Sequence, residues 1–428
     1  TYVEFATLSG RTYFVQYRDG ANGAWQTSPV AVNGTGTTIH WLDEGMPKTL
    51  TPPTAAREYR LLVTSGIATP LLITTQPQST QVASGGATTL RVALGAGGPY
   101  TYQWFRDGVA VSAATGASLA ISDATLASEG DYHVVVTDGR SSIQSQTATV
   151  SLASNNPGRI VNLSVRAQLE ASGTPLITGF VMEGAGSRPI LVRAVGDTLA
   201  NFGVQTAVRD TALKLYRGQS VLSENDDWTR DSEAAQTRSA SANVGAFALA
   251  ETARDAALVR RLLAEPYTIH VDNRTTQEGI VLVEMYDALG AYDSGNRIAN
   301  VSARARVSSG DGVLIAGLVV GGNTTCRLLA RVVGPTLSSL GVTGTLADPT
   351  LELYAAGGST PIATNDDWGT VQGAVLGERL FRRVGAFDLP LGSRDSVIVT
   401  RIQPGAYTLV AQGKGGAQGQ ALIEIYLI

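Results

Sequence analysis

Apolar and polar residues alternate along short segments of this chain, and glycine-rich turns separate the segments. Residues 11–17 read RTYFVQY, and residues 132–136 read YHVVV. A period of two residues is typical of a strand that buries one face. The chain also has 48 glycines and only 16% charged residues, which favours strands joined by many turns over helices. The sequence therefore predicts an all-β protein.

A long internal duplication fills the C-terminal part of the chain. Residues 159–166 (RIVNLSVR) match residues 297–304 (RIANVSAR) at an offset of 138, and the NDDW motif that begins at Asn225 returns at Asn365, at an offset of 140. The shared positions are mainly glycines, aromatic residues and charged residues. We therefore predict two copies of one β-sandwich with short helical insertions.

The duplication also decides how ambiguous segments fold. Residues 254–263 (RDAALVRRLL) alone have apolar residues at helical spacing, whereas their counterpart at 394–402 (RDSVIVTRI) is rich in β-branched residues, which favour strands. Strand is therefore predicted in both copies. The segments that end at Gly203 and Gly341 each predict one helical turn, because glycine suits the left-handed residue after a helix. A second short helix is predicted after each NDDW motif, around residues 232–242 and 373–383.

Residues 73–153 carry Trp104 in the segment TYQWFRDG and Tyr132 in the segment SEGDYHVVV. This pattern resembles the immunoglobulin-like domain. The resemblance implies that Trp104 packs between two sheets and that Tyr132 forms a tyrosine corner. The two cysteines of that family align with Val92 and Val134, so an apolar contact is expected in place of the disulfide.

The flanking regions carry resemblances of their own. The N-terminal region contains GRTYFVQY, Trp25 and EYRLLV, and it resembles the small fibronectin-like modules of bacterial surface proteins. The second half of each repeat resembles the pre-peptidase C-terminal domain, a jelly-roll-like sandwich found beside bacterial secreted hydrolases; the second copy shows this in LELY, NDD and PGAY. That resemblance implies polymer binding or stabilisation by calcium. The prediction is four tandem β-sandwich domains: a fibronectin-like module at 1–72, an immunoglobulin-like domain at 73–153, and jelly-roll-like repeats at 154–290 and 291–428.

Charge and hydropathy exclude two classes of partner. The net charge is −4 and the pI is near 5.5, whereas nucleic-acid-binding proteins concentrate lysine and arginine. The longest apolar runs, such as GIVLVE at 279–284, have strand length, whereas a membrane helix needs about 20 apolar residues. Neither nucleic-acid binding nor membrane insertion is expected. The single cysteine, Cys326, cannot form an internal disulfide, and we expect it to be structural.

The NDDW motifs are the candidate metal sites, because they bunch the carbonyl and carboxylate oxygens that Ca²⁺ prefers. The candidate ligands are Asn225, Asp226, Asp227, Asn365, Asp366 and Asp367, with Asp210, Asp348, Asp255 and Asp395 as possible further oxygens. The alternative is that Asn and Asp form turns or cap the following short helix while Trp228 and Trp368 pack as lids. No cofactor other than calcium is expected.

Two glutamates lie in otherwise apolar strands, Glu284 in IVLVEMY and Glu424 in ALIEIY. A buried carboxylate needs a partner, and Arg193 and Arg331 lie in equally apolar segments. We therefore predict one partly buried, bidentate Arg–Glu pair in each repeat. The alternative, an active-site carboxylate, is the sharper hypothesis, but a pair repeated on strands favours a structural role.

Templates for catalysis are missing from the sequence. His40, His133 and His270 fall in three different predicted domains, which disfavours a histidine-assisted nucleophile or a histidine-rich metal site. Trp25 and Trp41 could contribute to a sugar-stacking surface, with core positions as the alternative. No catalytic residues are assigned, and we predict that the protein is not an enzyme.

Modularity and a duplication without a reactive cluster predict a non-enzymatic structural or adhesive protein, located outside the cell or on a bacterial cell surface. Strand-like segments at 2–5 and 421–428 suggest head-to-tail assembly into a filament or layer, in which a terminal or edge strand of one subunit pairs with the next. The expected partners are further copies of the chain, other surface proteins or a polysaccharide. The alternative is a polymer- or carbohydrate-binding accessory region of a secreted hydrolase.

Overall fold

The structure is a computed structural model. It describes residues 1–428 except residues 22, 46–47, 51–52, 55, 66–70, 96–98, 139–140, 155, 172–173, 231, 290–294, 370–379 and 391. The chain divides into two compact units, Thr1–Ser154 (unit 1) and Asn155–Ile428 (unit 2). Strands dominate both units, which confirms the all-β prediction.

Unit 1 contains fifteen strands among its described residues and one short 3-10 helix, Leu126–Ser128. The strands are β1 Tyr2–Ala6, β2 Arg11–Asp19, β3 Gln26–Asn33, β4 Thr38–Leu42, β5 Arg57–Ser65, β6 Ile73–Thr75, β7 Thr80–Val82, β8 Thr88–Arg91, β9 Ala93–Leu94, β10 Thr101–Arg106, β11 Val109–Ala110, β12 Ser118–Ile121, β13 Gly130–Thr137, β14 Ser142–Gln144 and β15 Ala148–Leu152.

The first five strands form two small sheets, in the orders β1-β4 and β3-β2-β5. Strand β2 buries residues 12–15 and Tyr17, and the core of this region contains Tyr13, Val15, Phe5 and Trp41. A buried ion pair adjoins that core, in which Arg57 donates to Asp43 at 3.1 Å and the Tyr59 hydroxyl donates to the same carboxylate at 2.7 Å.

The remaining strands of unit 1 form the sheet β11-β10-β13-β15-β7, with β14 also paired to β13, and the smaller sheets β12-β8 and β6-β9. Trp104 is fully buried, and its indole N–H donates to the Gly116 carbonyl at 2.9 Å. The Tyr132 hydroxyl donates to the Ser128 carbonyl at 2.8 Å, which is the tyrosine corner expected of an immunoglobulin-like domain. Val92 and Val134 lie in the same buried cluster, where the family has its disulfide.

Unit 2 contains sixteen strands and the helix α1 Ala234–Asn243 among its described residues. The strands are β16 Arg159–Leu169, β17 Leu176–Glu183, β18 Ser187–Val195, β19 Thr211–Arg217, β20 Ser220–Asn225, β21 Ala256–Leu263, β22 Pro266–Asn273, β23 Gly279–Asp287, β24 Arg297–Val307, β25 Leu314–Gly321, β26 Cys326–Val333, β27 Pro349–Ala355, β28 Ala363–Asn365, β29 Ser396–Ile402, β30 Gly405–Gly413 and β31 Gly419–Leu427. The 3-10 helices are Asp197–Phe202, Trp228–Arg230, Gly310–Gly312, Pro335–Leu340 and Lys414–Gly416.

The described strands of unit 2 form two rows of eight, and every neighbouring pair is antiparallel. The first row has the order β20-β19-β22-β17-β24-β31-β26-β29, and the second has the order β21-β18-β23-β16-β25-β30-β27-β28. One residue pair, Ile160 with Ile298, links the two rows. A single apolar cluster draws on both rows and both repeats, with Leu163, Phe180 and Leu318 among its buried members.

The two repeats join edge to edge through an internal twofold relation. Strand β16 pairs with β25 in one row, and β17 pairs with β24 in the other. The registers are equivalent, because Arg166 pairs with Ile315 just as Arg304 pairs with Ile177. An interface that uses the same two strands of each repeat is closed, so it cannot extend to a third repeat. The boundary predicted between residues 290 and 291 lies outside the described residues, and the four-domain division stays a prediction.

Several elements chosen from the duplication are confirmed. Residues 256–263 and 396–402 are strands, and α1 follows the first NDDW motif. The 3-10 helices Asp197–Phe202 and Pro335–Leu340 end at Gly203 and Gly341, whose φ values are 85° and 84°. Most of the second predicted short helix, at 373–383, lies outside the described residues. None of the helices in the described part of the chain has the length and apolar character needed to cross a lipid bilayer.

Candidate functional site

The NDDW motif of repeat 1 caps the open side of an edge strand. Strand β21 pairs only with β18 among the described strands, so the main-chain groups on its other side have no strand partner. The Asn225 side-chain oxygen accepts the N–H of Ala257 at 2.9 Å. The main-chain N–H of Trp228 donates to the Asp255 carbonyl at 2.9 Å. These contacts satisfy groups that an edge strand otherwise offers to another chain.

Repeat 2 reproduces this edge cap on β29. Asn365 accepts the N–H of Val397 at 2.7 Å, and the Trp368 N–H donates to the Asp395 carbonyl at 2.7 Å. The indole N–H of Trp368 donates to the Pro390 carbonyl at 2.8 Å, and its ring is buried. The structure therefore gives the asparagine and tryptophan of both motifs the turn and lid roles that the sequence offered as the alternative to calcium.

One carboxylate in each motif already has a cationic neighbour. Asp227 lies 2.8 Å from Arg230, and Asp366 lies 2.8 Å from the ammonium of Lys414. The hydrogen bond from Lys414 lowers the pKa of Asp366. No group of three or more His, Cys, Asp or Glu residues in the described ranges is arranged to hold a metal ion. Calcium binding at Asn225, Asp226, Asp227, Asn365, Asp366 and Asp367 stays a prediction.

A second duplicated cluster surrounds a fully buried carboxylate that the sequence offered only as a further calcium ligand. Asp255 accepts the N–H of Gly196 at 2.7 Å and the hydroxyl of Thr198. It thereby holds the start of the 3-10 helix Asp197–Phe202. Burial raises the pKa of Asp255, and the hydrogen bonds oppose that shift.

In repeat 2, Asp395 holds the 3-10 helix Pro335–Leu340 in the same way. It accepts the N–H of Gly334 at 2.8 Å and the hydroxyl of Thr336. It also accepts the hydroxyl of Ser393 at 2.7 Å, whereas repeat 1 has Ala253 at the equivalent position. Sequence reasoning missed this cluster, although a threonine two residues after a glycine recurs in both copies.

The structure brings Arg193 and Glu284 together on neighbouring strands. Arg193 Nη2 lies 2.8 Å from Glu284 Oε2, although the N–H is not aligned for a hydrogen bond. Arg193 Nη1 donates to the Phe247 carbonyl at 2.7 Å, and the guanidinium lies 4.3 Å from the centre of the Phe247 ring. The Tyr286 hydroxyl donates to Glu284 at 2.7 Å, and burial together with this carboxylate raises the pKa of Tyr286.

The equivalent pair in repeat 2 is better aligned. Arg331 Nε donates to Glu424 Oε2 at 2.9 Å, and Nη2 donates to the same oxygen. Two nitrogens therefore share one oxygen, which differs from the predicted fork in which each nitrogen takes its own. Arg331 Nη1 donates to the Phe387 carbonyl at 2.7 Å, and Tyr426 donates to the other Glu424 oxygen at 2.8 Å. Both arginines are fully buried, so the pair belongs to the core and not to a cleft.

The remaining candidate residues are dispersed. Trp41 is buried, while Trp25 carries the guanidinium groups of Arg18 and Arg60 at 4.7 and 4.2 Å from its ring centre. His133 is half-buried and stacks on Phe105 with 5.1 Å between the ring centres, and burial lowers its pKa.

A cavity of about 230 Å³ lies where the two repeats meet. Arg159, Ile160, Ile298 and the buried Cys326 are among the residues that line it. None of the residues predicted as metal sites or as the Arg–Glu pairs lines this cavity, so the duplicated charges and the cavity are separate features.

Comparison with known proteins gives one curated relative and a set of solved structures. No family model matches the chain. The "Decoration protein" of Escherichia phage T5 is 40% identical over 82 residues, which is 19% of this chain and 50% of the relative. The chain therefore spans half the length of the curated relative that it matches.

The similar solved structures contain tandem immunoglobulin-like domains. The tandem Ig repeats of Dlar are 10% identical, covering 36% of this chain and 97% of that chain with a TM-score of 0.21. The titin domains z1z2, solved in complex with telethonin, are 17% identical, covering 60% of this chain and 95% of that chain with a TM-score of 0.19. The resemblance of the repeats to pre-peptidase C-terminal domains stays a prediction.

Proposed function

We propose that this chain is a non-enzymatic structural protein that attaches to the outside of a larger assembly, such as a bacterial cell surface or a virus particle. The observation that carries the proposal is the 40% identity over 82 residues to a phage protein named decoration protein. That name indicates a role on a larger structure. Attachment, adhesion and an extracellular location are parts of this proposal.

The duplicated charges support a structural role. The buried arginine–glutamate pair and the buried aspartate each occur twice, once in each repeat, and each holds a strand or a 3-10 helix of its own repeat. Catalytic groups instead need a cleft where substrate can reach them. Asp255, Asp395, Arg193 and Arg331 are fully buried and bonded to neighbouring protein groups, so they do not form such a cleft.

Assembly by strand addition is possible only at strands with an open side. The C-terminal strand β31 pairs with β24 on one side and β26 on the other, so the segment 421–428 cannot accept another strand without losing one of them. Strand β1 pairs only with β4 among the described strands. Head-to-tail assembly would therefore need a strand with an open side, such as β1 or an outer strand of another sheet.

Immunogold electron microscopy tests the proposal. Antibodies raised against the full chain are applied to intact, unpermeabilised producing cells and to any virus particles that they release. We expect labels on the outer surface of cells or particles. Labels found only in sectioned cell interiors, unattached to any assembly, would reject the proposal.

A pull-down on insoluble polysaccharides tests the alternative of a carbohydrate-binding region. Cellulose, chitin and peptidoglycan are the probes, and Trp25→Ala is the matched variant because Trp25 is the half-buried tryptophan of the N-terminal region. A purely structural protein shows no saturable binding. Saturable binding that is lost in Trp25→Ala would favour the accessory region instead. The sugar would then take the place of the Arg18 and Arg60 guanidinium groups on the Trp25 ring of the wild-type chain.

A further inference from the structure

Each row of unit 2 has an outward sheet face that is open at its centre. In repeat 1, α1 packs on β18 and β21, and Leu191 and Tyr286 are buried in the apolar cluster that it shares with them. The central outward residues of β19, β22 and β17 in the first row are instead half-buried. We call this the first open face. Its copy in repeat 2, the second open face, lies on β27, β30 and β25 of the second row.

The two open faces share a line of small and aromatic residues that crosses the strands. Gly179 lies in the middle of the line on the first face, and a Cβ added there would lie 2.8 Å from Ser302 Oγ. The middle of the face is therefore flat. On the first face, the paired residues of the line are Tyr216, Thr268, Gly179 and Ser302. On the second face, they are Tyr354, Thr408, Gly317 and Ser164.

The next line of residues on each face carries the charges, and here the two faces differ. On the first face, the paired residues of this line are Lys214, His270, Ile177 and Arg304. On the second face, they are Glu352, Val410, Ile315 and Arg166. A lysine and a histidine of the first face are thus replaced by a glutamate and a valine on the second.

The cations of the first face have no acidic partner. Among the residues that the structure describes, no acid lies within ion-pair distance of Lys214 or Arg304. The acids that share this face are Glu224, opposite Lys214 on β20, and Asp272 on β22. Both lie on the side of the face away from β24. The side at β24, where Arg304 is exposed, therefore keeps a positive charge that attracts anions.

The charged groups of the second face already have partners. Arg166, the counterpart of Arg304, lies 3.5 Å from Asp311. Glu352, the counterpart of Lys214, accepts the Tyr354 hydroxyl at 2.7 Å. A glutamate and a neutralised arginine do not attract an anion. The two faces are therefore alike in shape and different in charge.

Tyr216 and His270 give the first face an aromatic surface. Their ring centres are 4.5 Å apart, and both side chains are half-buried. Burial lowers the pKa of His270, so its ring is neutral near pH 7. Neutral aromatic rings suit the C–H face of a sugar, and the neighbouring hydroxyls of Thr268 and Ser302 both donate and accept hydrogen bonds, as sugar hydroxyls require.

We propose that the first open face binds an acidic polysaccharide, a chain of sugars that carry carboxylates. A sugar ring stacks on Tyr216 and His270, and carboxylates pair with Lys214 and Arg304, whose guanidinium can donate two parallel N–H groups. The two cations lie three strand spacings apart, which is about 14 Å. That span exceeds one sugar ring, so the ligand is a chain and not a single sugar.

This proposal deepens the proposed function and rests on it for biological purpose. It names the partner through which the chain attaches to a larger assembly, namely an acidic polysaccharide on the surface of that assembly. Because only one of the two open faces has the required charge, each chain binds at one site. The N-terminal Trp25 takes no part in it.

Calorimetric titration of the full chain is the test, with alginate and polygalacturonate oligosaccharides as acidic probes. Dextran oligosaccharides and polyglutamate are the reference probes, because one has sugars without charge and the other has carboxylates without sugars. We expect at least one acidic oligosaccharide to bind saturably at one site per chain, with an affinity that falls as salt rises. Polyglutamate should bind more weakly, and dextran should not bind.

Variants locate the site. Lys214→Glu, which introduces the residue of repeat 2, and Arg304→Ala should each weaken binding at least about tenfold, which is the effect of about 1.4 kcal/mol. Tyr216→Ala should also weaken it. The matched controls are Arg166→Ala and Tyr354→Ala on the second face, together with Trp25→Ala, and each should keep the affinity of the wild-type chain. Thermal unfolding checks that every variant is folded.

Several outcomes would overturn the proposal: no binding of either acidic oligosaccharide, equal affinity for polyglutamate, equal losses in Arg166→Ala and Arg304→Ala, or binding that is lost in Trp25→Ala. The first outcome with surface labelling intact would leave the proposed function standing. Binding at the first open face in a chain that is found only inside cells would reject the proposed function and keep the site.

Discussion

Repeat 1 and repeat 2 keep the arginine–glutamate pair and the buried aspartate at equivalent places but satisfy them to different degrees. In repeat 2, Arg331 donates through both Nε and Nη2 to Glu424, whereas Arg193 of repeat 1 lies against Glu284 without alignment of the N–H. Asp395 has the extra hydroxyl of Ser393, which repeat 1 lacks. The difference shows that equivalent contacts of the two repeats do not carry the same set of hydrogen bonds.

The outer strands differ in the same direction, because those of repeat 2 are better protected. Both repeats cap one edge strand with asparagine, but only repeat 2 shortens the other edge and precedes it with Pro361. Repeat 1 keeps a six-residue strand, β20, with exposed apolar residues. The repeats therefore differ in their outer strands. Four changes would break or sharpen this comparison.

The largest expected effect comes from breaking the buried arginine–glutamate pair. Arg331→Met leaves the Glu424 carboxylate buried without its cation, and the loss of one partner of a buried pair costs about 3–5 kcal/mol. Arg193→Met should cost less, because fewer aligned hydrogen bonds are lost. Denaturant unfolding of the full chain, followed through the transition of unit 2, gives the two free energies of unfolding.

The control for this prediction is an exposed pair in repeat 1. Arg238 lies 2.9 Å from Glu251 with both side chains more than half exposed, so Arg238→Met should change the free energy of unfolding by about 0–1 kcal/mol. Equal losses in Arg331→Met and Arg193→Met would show that the better alignment in repeat 2 contributes nothing.

The pairing of arginine with glutamate could be predicted from sequence, because a charge in an apolar strand must find a partner. Its other contacts could not. The carbonyls of Phe247 and Phe387 lie on irregular segments 54 and 56 residues away from their arginines, and no local periodicity places a loop carbonyl. The edge-to-edge joining of the repeats was missed for a similar reason, since alternation predicts a strand but not its neighbour.

The contacts of the buried carboxylates Asp255 and Asp395 could not be predicted from the sequence either. The sequence suggested Asp255 and Asp395 as further metal ligands because their carboxylates, like those of the NDDW motif, supply oxygen atoms. Their donors lie 59 and 61 residues earlier in the chain, at Gly196 and Gly334. The duplication correctly marked these positions as shared, but only the fold shows that they hold 3-10 helices.

The second change tests the edge caps. Asn365→Ala removes the acceptor of the Val397 N–H, and Asn225→Ala removes the acceptor of the Ala257 N–H. A buried donor left unsatisfied costs about 1–3 kcal/mol, and the cost should be larger for the buried Asn365 than for the half-buried Asn225. Hydrogen exchange should show faster exchange at these two amides.

Asn365→Asp, measured at a pH where the new carboxyl is protonated, is the control for the edge cap, since a protonated aspartate keeps an acceptor oxygen and a donor for the Asp367 carbonyl. It should lose less stability than Asn365→Ala. If both variants lose the same amount, the acceptor is not what the strand needs.

The third change transfers a hydrogen bond from repeat 2 to repeat 1. Burial raises the pKa of Asp255 above the ordinary 3.8, so its contribution to stability is complete below that value and is lost as pH rises through the raised pKa. Ala253→Ser supplies the hydroxyl that Ser393 gives to Asp395, and a hydrogen bond to the ionised carboxylate lowers its pKa. We expect Ala253→Ser to add about 1 kcal/mol near pH 7 and little near pH 3. The free energies of unfolding at the two pH values measure this.

Ser393→Ala is the reciprocal control for the transferred hydrogen bond. It should remove a similar amount of stability from repeat 2 at neutral pH, because Asp395 then has only the donors that Asp255 has. A gain in Ala253→Ser that is equal at both pH values would contradict an origin in the carboxylate charge.

The smallest expected effect is that of calcium, for which we expect no change in Tm. The Asn225 and Asn365 oxygens accept main-chain N–H groups, and Lys414 already pairs with Asp366. The Tm of the chain should therefore be the same in about 1 mM calcium as in a chelator. About 1 mM is the dissociation constant of the weakest extracellular calcium sites. The two turns still differ, because Asp226 is exposed whereas Asp366 has its lysine. A calcium-dependent rise in Tm that disappears in Asp226→Asn and persists in Asp366→Asn would contradict the expectation and locate a metal site in repeat 1 alone.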